Sequence, residues 1–344
     1  MSLETRLNYI LKTGLLKKLE PQKINILSIG VEAPGELLAV ANYFNIEKTA
    51  ITFQGYFKPF MDEAEGLGLN CTFSCKKKYD IVIVAIPSDK KEALGLISRS
   101  LKNIKEGGYI ICDGFKTRGI DSIIKKLKFL NYKKVSKAHG KIILAEKPLK
   151  IPKCVSEWEM SLNFSLNQDN FVTSPGMFSY KKIDEGSKLL ATFLKNKITG
   201  EVADLCSGWG YLSVATLQNN SKIKSIFLFE ANYFALMASQ INLKDVRAYF
   251  NWKDATKLDL AGKKFDCVIC NPPFHSKSGY DIDIGKKIIE SGYKILKLSG
   301  TFWMVANKQL PYEKTLKRLY SHVEKVTEDS YFKVFRATKP FAKL

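Results

Sequence analysis

The sequence predicts an α/β protein in which one parallel-sheet fold occurs twice in tandem. Three observations carry this. Short apolar runs rich in β-branched residues alternate with helical patterns along the chain, as expected of strands joined by crossover helices. Asp80-Ile-Val-Ile-Val-Ala85-Ile86-Pro87 aligns without a gap on Asp266-Cys-Val-Ile-Cys-Asn271-Pro272-Pro273, and Gly107-Gly108-Tyr109 then answers Ser299-Gly300-Thr301. Near the end of each half, Val135 through Leu144 to Pro148 answers Val326 through Phe335 to Pro340, an expected antiparallel hairpin closing each sheet.

The elements follow in order. Leu7, Leu11, Leu15 and Leu19 recur every four residues and predict a helix over Glu4 to Leu19. Strands are expected at Lys23 to Ile29, Ala50 to Phe53, Tyr79 to Ile86 and Tyr109 to Cys112, with a turn at Gly30 and Gly35 and a helix from Glu36 to Phe44. Lys147-Pro148-Leu149-Lys150-Ile151-Pro152-Lys153 reads as an extended linker, which divides the chain into domains 1–150 and 151–344. Trp158 to Leu166 is expected to be a strand leading into the second domain. There, strands are expected up to Leu205 and at Ser225 to Phe229, Arg247 to Asn251 and Asp266 to Cys270.

At 344 residues and 45% hydrophobic content the chain can bury two cores. It contains no apolar run of membrane-spanning length, and Met1 to Leu19 lacks the zones of a secretory signal, so a cytoplasmic protein is expected. The net charge is +20, and both halves are basic, with eleven basic residues between Lys116 and Lys150 against Asp121 and Glu146. Such a field draws polyanions, and nucleic acid is the expected partner. Cys267 and Cys270 have C-x-x-C spacing but fall within one strand, where an odd offset sends them to opposite faces, so no metal site is expected.

Chemistry is expected where the strands end. The prolines at 272 and 273 stop the fourth strand of the second half and present Asn271 there. The Asn271 side-chain oxygen and the Pro272 carbonyl could each accept an N–H from an exocyclic amine and aim its lone pair, while Phe274 offers a face for a base. Asp204-Leu205-Cys206-Ser207-Gly208-Trp209-Gly210 is a small-residue turn into a helix: Gly208 and Gly210 allow close backbone approach, and Asp204 can accept from a cationic amine. Glu230 ends the next strand, where an acid partners ribose hydroxyls, and Asp254-Ala255 follows the third, placed for an adenine edge. The four strand ends together suit one elongated adenosine ligand. In the first half Ala85 stands at the place of Asn271 and Gln54 at that of Glu230, so catalysis is expected in the second half alone.

These residues resemble the class I methyltransferases that use S-adenosylmethionine, and more narrowly the RsmC family of small-subunit ribosomal RNA guanine-N2 methyltransferases, with the related RlmG enzymes close by. The most specific pieces are Thr173-Ser174-Pro175-Gly176-Met177-Phe178-Ser179, Asp184-Glu185-Gly186-Ser187, Asn271-Pro272-Pro273-Phe274-His275, Ala306 to Glu313, and Phe332 to Ala337. The resemblance implies two tandem Rossmann-like domains, the N-terminal one degenerate and serving as scaffold and RNA dock. It implies that Asp204, Ser207, Gly208, Gly210, Glu230 and Asp254 hold S-adenosyl-L-methionine, and that Asn271 with Pro272 holds the guanine amino group of a small-subunit rRNA; the residues' own chemistry adds Ala255 to the cofactor site and Pro273 and Phe274 to the catalytic one. Ser174 to Phe178 would close over the methionine end. Cys206 stands where the family usually has glycine and Trp209 where it has a small residue, which would narrow the cofactor entrance. His275 is either a base contact or a turn-stabilising residue. The sequence leaves two alternatives: another planar nitrogen as acceptor (adenine N6 or a protein glutamine), or a non-catalytic RNA-binding protein of ribosome assembly.

Overall fold

The computed structural model describes residues 3–20, 23–273, 275–276, 279–280 and 282–342. The chain forms two compact units, Met1–Asn163 with Ser174–Gly176, and Phe164–Thr173 with Met177–Leu344.

In the first unit the strands are β1 (Ile26–Ile29), β2 (Ile51–Gln54), β3 (Asn70–Thr72), β4 (Tyr79–Ala85), β5 (Ile104–Phe115), β6 (Tyr132–Lys137) and β7 (Gly140–Glu146). The helices are α1 (Leu3–Leu11), α2 (Leu38–Phe44), α3 (Lys58–Gly66), α4 (Lys90–Lys102), α5 (Ile120–Lys126) and α6 (Lys153–Met160). One sheet of order β3-β2-β1-β4-β5-β7-β6 results, parallel from β3 to β5 and antiparallel beyond. The expected hairpin is the β6/β7 pair. All four residues of β1 are buried, as befits a parallel strand covered on both faces.

Two expectations fail here. The opening helix stops at Leu11, because Gly14 adopts a left-handed φ of 78° and the chain re-enters only as a short 3-10 turn at Leu15–Lys18. The stretch from Trp158 is the end of helix α6, not a strand: Val155, Trp158 and Leu162 share a helical face against the first unit's core, and only Ser165–Leu166 is extended. That packing carries the first unit to Asn163, past residue 150.

The second unit opens with the small hairpin β8 (Ser165–Leu166) and β9 (Val172–Thr173). The sheet strands are β10 (Gly200–Leu205), β11 (Ile223–Glu230), β12 (Ala248–Trp252), β13 (Phe265–Cys270), β16 (Leu296–Asn307), β17 (Tyr320–Glu328) and β18 (Phe332–Pro340), with the pair β14 (His275–Ser276) and β15 (Gly279–Tyr280) between them. The helices are α7 (Glu185–Leu194), α8 (Tyr211–Gln218), α9 (Tyr233–Asn242), α10 (Ile282–Ile295) and α11 (Glu313–Leu319). The order β12-β11-β10-β13-β16-β18-β17 repeats that of the first sheet. Along β13, Cys267 and Ile269 join the core with Leu190 of α7 and Leu212 of α8, whereas Val268 and Cys270 face Ile288 of α10 and Leu316 of α11. The two cysteines therefore do lie on opposite faces.

Strand register corrects one equivalence. Ile29 pairs with Gln54 and Val84, and Leu205 pairs with Phe229 and Cys270. Gln54 thus corresponds to Phe229, and the residue at the place of Glu230 is Gly55. The phenylalanine common to Phe53-Gln54 and Phe229-Glu230 therefore stands one place out of register between the two sheets. Ala85 remains the counterpart of Asn271.

Candidate active site

The site is assembled from segments that follow β10 and β13 and from the approach to α7. Strand β13 stops at Cys270 because two prolines without N–H groups come next. Asn271 is thereby presented just past the ladder, partly buried. Its Nδ2 donates to Asp184 Oδ2 at 2.9 Å and to Ser187 Oγ at 2.7 Å. Asp184 is the N-cap of α7 and also accepts from the Ser187 backbone N–H at 2.9 Å.

After β10 the chain turns sharply, with left-handed φ at Cys206 (62°), Gly208 (55°) and Gly210 (93°). At Gly208 nothing lies within 4 Å of where a Cβ would stand, so the backbone faces open space. At Gly210 a Cβ would meet Ser239 Cβ at 2.9 Å, so this glycine lets α8 start against α9. Asp204 is 1% exposed and accepts from Ser213 Oγ at 2.6 Å. Burial, aided by the nearby charge of Glu230, pushes its carboxyl up to about 7 against the lowering effect of the Ser213 bond. Burial also raises Glu230, whose oxygens accept from Gly208 N at 2.7 Å and Asn232 N at 2.8 Å, bonds that pull the other way. The neighbouring Cys270 and burial hold the Cys206 thiol well above its ordinary range.

A cavity of about 410 Å³, counted to its open mouth, joins these groups. Of the expected site residues, Asp204, Ser207, Gly208 and Asn271 line it. The Ser207 hydroxyl is buried without a protein partner among the described residues, a donor and acceptor left for a ligand. Glu230 stands behind Gly208, outside the lining. The others take different places. Asp254 caps a short 3-10 turn by accepting from Thr256 N at 2.8 Å and Thr256 Oγ1 at 2.7 Å, and Ala255 is buried in the core. Pro272 is buried and Pro273 exposed, neither in the cavity wall. Phe274 lies outside the described residues, as does the side chain of His275.

Residue-by-residue reading missed Asp184 and Ser187 as parts of the site. Asp184-x-x-Ser187 looks like a helix cap in sequence, and the cap is real; its second use needs the tertiary fold. Trp209 does line the cavity, but its ring is only 4% exposed and packs on Phe171 at 5.0 Å between centroids. Its Nε1 donates to the Phe178 carbonyl at 2.9 Å. Asn242 adds a second tie, donating to the carbonyls of Val172 and Trp209 at 2.9 Å each and accepting from Val172 N at 2.7 Å. The bulky indole thus anchors Phe178 and the glycine turn to each other.

A doubly wound sheet with a glycine turn after its first strand, an acid at the tip of the second and an Asn-Pro-Pro turn after the fourth defines a methyltransferase-type domain. The methyltransferase small domain family matches residues 168–336. Two curated relatives are named ribosomal RNA small subunit methyltransferase C. That of Buchnera aphidicola subsp. Acyrthosiphon pisum is 32% identical over 266 residues, covering 75% of this chain and 76% of the relative. That of Psychromonas ingrahamii is 28% identical over 323 residues, 89% of each. Among solved structures, a T. thermophilus 16S rRNA N2 methyltransferase (RsmC) in complex with AdoMet and guanosine superimposes with a TM-score of 0.79 at 21% identity, covering 94% of this chain and 90% of that one. The chain belongs to the ribosomal RNA small subunit methyltransferase C family.

Proposed function

We propose that this protein transfers a methyl group from S-adenosylmethionine to the exocyclic N2 amino group of a guanine in small-subunit ribosomal RNA. The observation that carries the reading is the placement of Asn271 in the same cavity wall as Asp204, Ser207 and Gly208. When bound, the cofactor supplies an electrophilic methyl on a cationic sulfur. Ser207, Gly208 and Asp204 would hold it, and Glu230, which accepts from the Gly208 and Asn232 N–H groups, would turn its remaining acceptor capacity to a ribose hydroxyl. The Asn271 oxygen would accept one N–H of the guanine amine and the carbonyl of Pro272, next in the chain but outside the cavity lining, the other, which would leave the amine lone pair free for the methyl. Transfer would exchange the cofactor's S–C bond for the new N–C bond, and the amine's proton would leave to water. Gly210 serves helix packing, and Asp254 shapes the loop after β12.

The first domain docks RNA. Lys125, Lys126, Lys128, Lys133, Lys134 and Lys137 are exposed on α5, the turn after it and the edge strand β6, with Lys137 Nζ 5.3 Å from the Tyr9 ring centroid. Among the described residues no helix is long and apolar enough to cross a membrane. A ribosomal substrate fits work in the cytoplasm, and a monomer is the form proposed to act. The test is methyl transfer from labelled S-adenosylmethionine to small-subunit rRNA, naked and in particles, followed by nucleoside digestion. Label in N2-methylguanosine is expected; label only in N6-methyladenosine or protein glutamine, or none at all, would refute the assignment.

A further inference from the structure

We propose that Asp184 and Ser187 are positioning residues that lock the Asn271 amide with its oxygen toward the substrate. This rests on the reading of Asn271 as the group that meets the substrate amine. An asparagine amide has nearly the same shape when flipped, yet one face accepts and the other donates. An amide free to flip would often offer hydrogens to an amine that also offers hydrogens.

Here both hydrogens of Nδ2 are taken, one by the Asp184 carboxylate at 2.9 Å and one by Ser187 Oγ at 2.7 Å. Flipping would break the charge-assisted bond and set the amide oxygen against the carboxylate, and the Ser187 hydroxyl would have to turn from acceptor to donor, so the flipped form is held to a few per cent or less, on the order of one lost charge-assisted hydrogen bond. A carboxylate at the nitrogen end also polarises the amide and makes its oxygen a stronger acceptor. The helix cap aims the pair: Asp184 Oδ2 is fixed by the Ser187 N–H and accepts from Asn271 with the same atom. Selectivity follows, because a locked acceptor takes an exocyclic amine and rejects a carbonyl oxygen in the same place.

The test uses the full-length protein and three variants. Ser187→Val and Ser187→Thr are close in shape and differ in the hydroxyl, while Asp184→Asn keeps a capping oxygen and loses the charge. Single-turnover methyl transfer to rRNA is expected to fall roughly tenfold or more in Ser187→Val and Asp184→Asn and much less in Ser187→Thr, with S-adenosylmethionine affinity within about twofold throughout. An equal rate loss in the valine and threonine variants would overturn the lock and assign Ser187 to packing. Nuclear magnetic resonance reads the lock without turnover. The Asn271 side-chain NH₂ signal is expected to exchange slowly with solvent in the wild type and faster in Ser187→Val; identical exchange would also overturn it. Slow exchange in a wild-type protein that methylates no guanine amine would support the lock and refute the functional reading.

Discussion

The two sheets share strand order and pairing, yet they end differently. Where the second has Cys206, Glu230 and Asn271, the first has Gly30, Gly55 and Ala85. In the first, the Tyr56 hydroxyl donates to Glu92 at 2.9 Å, burial pushes Glu92 up to about 7, and Gly176 lies so close that a Cβ there would sit 2.4 Å from the carboxylate carbon. In the second, the strand ends meet a cavity. The difference teaches that the ladder and the chemistry are specified separately. Apolar residues inside the strands set the register, and a few side chains just beyond the last ladder bond decide whether a ligand is held.

Moving residues between the two halves tests that division. Glu230→Gly, which gives the second sheet its counterpart's residue, is expected to weaken S-adenosylmethionine binding about a hundredfold, since a charged acceptor and the bond to Gly208 are both lost. Calorimetry reads it, and an unchanged affinity would detach Glu230 from the cofactor.

Proton linkage gives the next effect. With its folded pKa raised to about 7, against an unfolded value of about 3.9, Asp204 favours the protonated form in the free protein. Folding stability from this group therefore rises as pH falls from 7 toward 4. A cationic ligand needs the carboxylate, so cofactor affinity should drop by up to about tenfold per pH unit below 7 and level off above. Titration between pH 5.5 and 8.5 checks this; a flat profile would remove Asp204 from the contact.

Trp209→Phe keeps a ring among Phe171 and Tyr211 but deletes the donor to the Phe178 carbonyl. Cofactor dissociation should quicken about three- to tenfold by stopped flow, the size expected for one neutral hydrogen bond.

The smallest effect is on stability. Gly30 has a φ of 72° and a Cβ there would sit 2.9 Å from the Ala85 carbonyl oxygen, so Gly30→Cys should cost about 2 kcal/mol in denaturant melts. Cys206→Gly at the equivalent place should shift stability by less than about 1 kcal/mol, the lost packing offsetting the relieved strain.

The duplication was legible because strand patterning and the closing hairpins repeat at matching offsets. Asn271, Asp204, Ser207 and Gly208 were legible because strand ends next to glycine or proline are where a parallel sheet opens to ligands. What the sequence hid depends on contacts between distant segments. The α6 helix was masked by bulky residues that also suit a strand, although Val155, Trp158 and Leu162 carry the helical period. The offset between Gln54 and Gly55 needed the hydrogen-bond register. The partnership of Asp184 and Ser187 with Asn271 spans more than eighty residues of chain, which no local pattern reports.

The most direct measurement is single-turnover methyl transfer to small-subunit rRNA by Asn271→Ala at saturating S-adenosylmethionine. The account predicts a rate lower by about a hundredfold or more with cofactor affinity nearly unchanged, because the deleted oxygen serves only the substrate amine. Transfer at the wild-type rate, or a loss explained by cofactor binding alone, would contradict it.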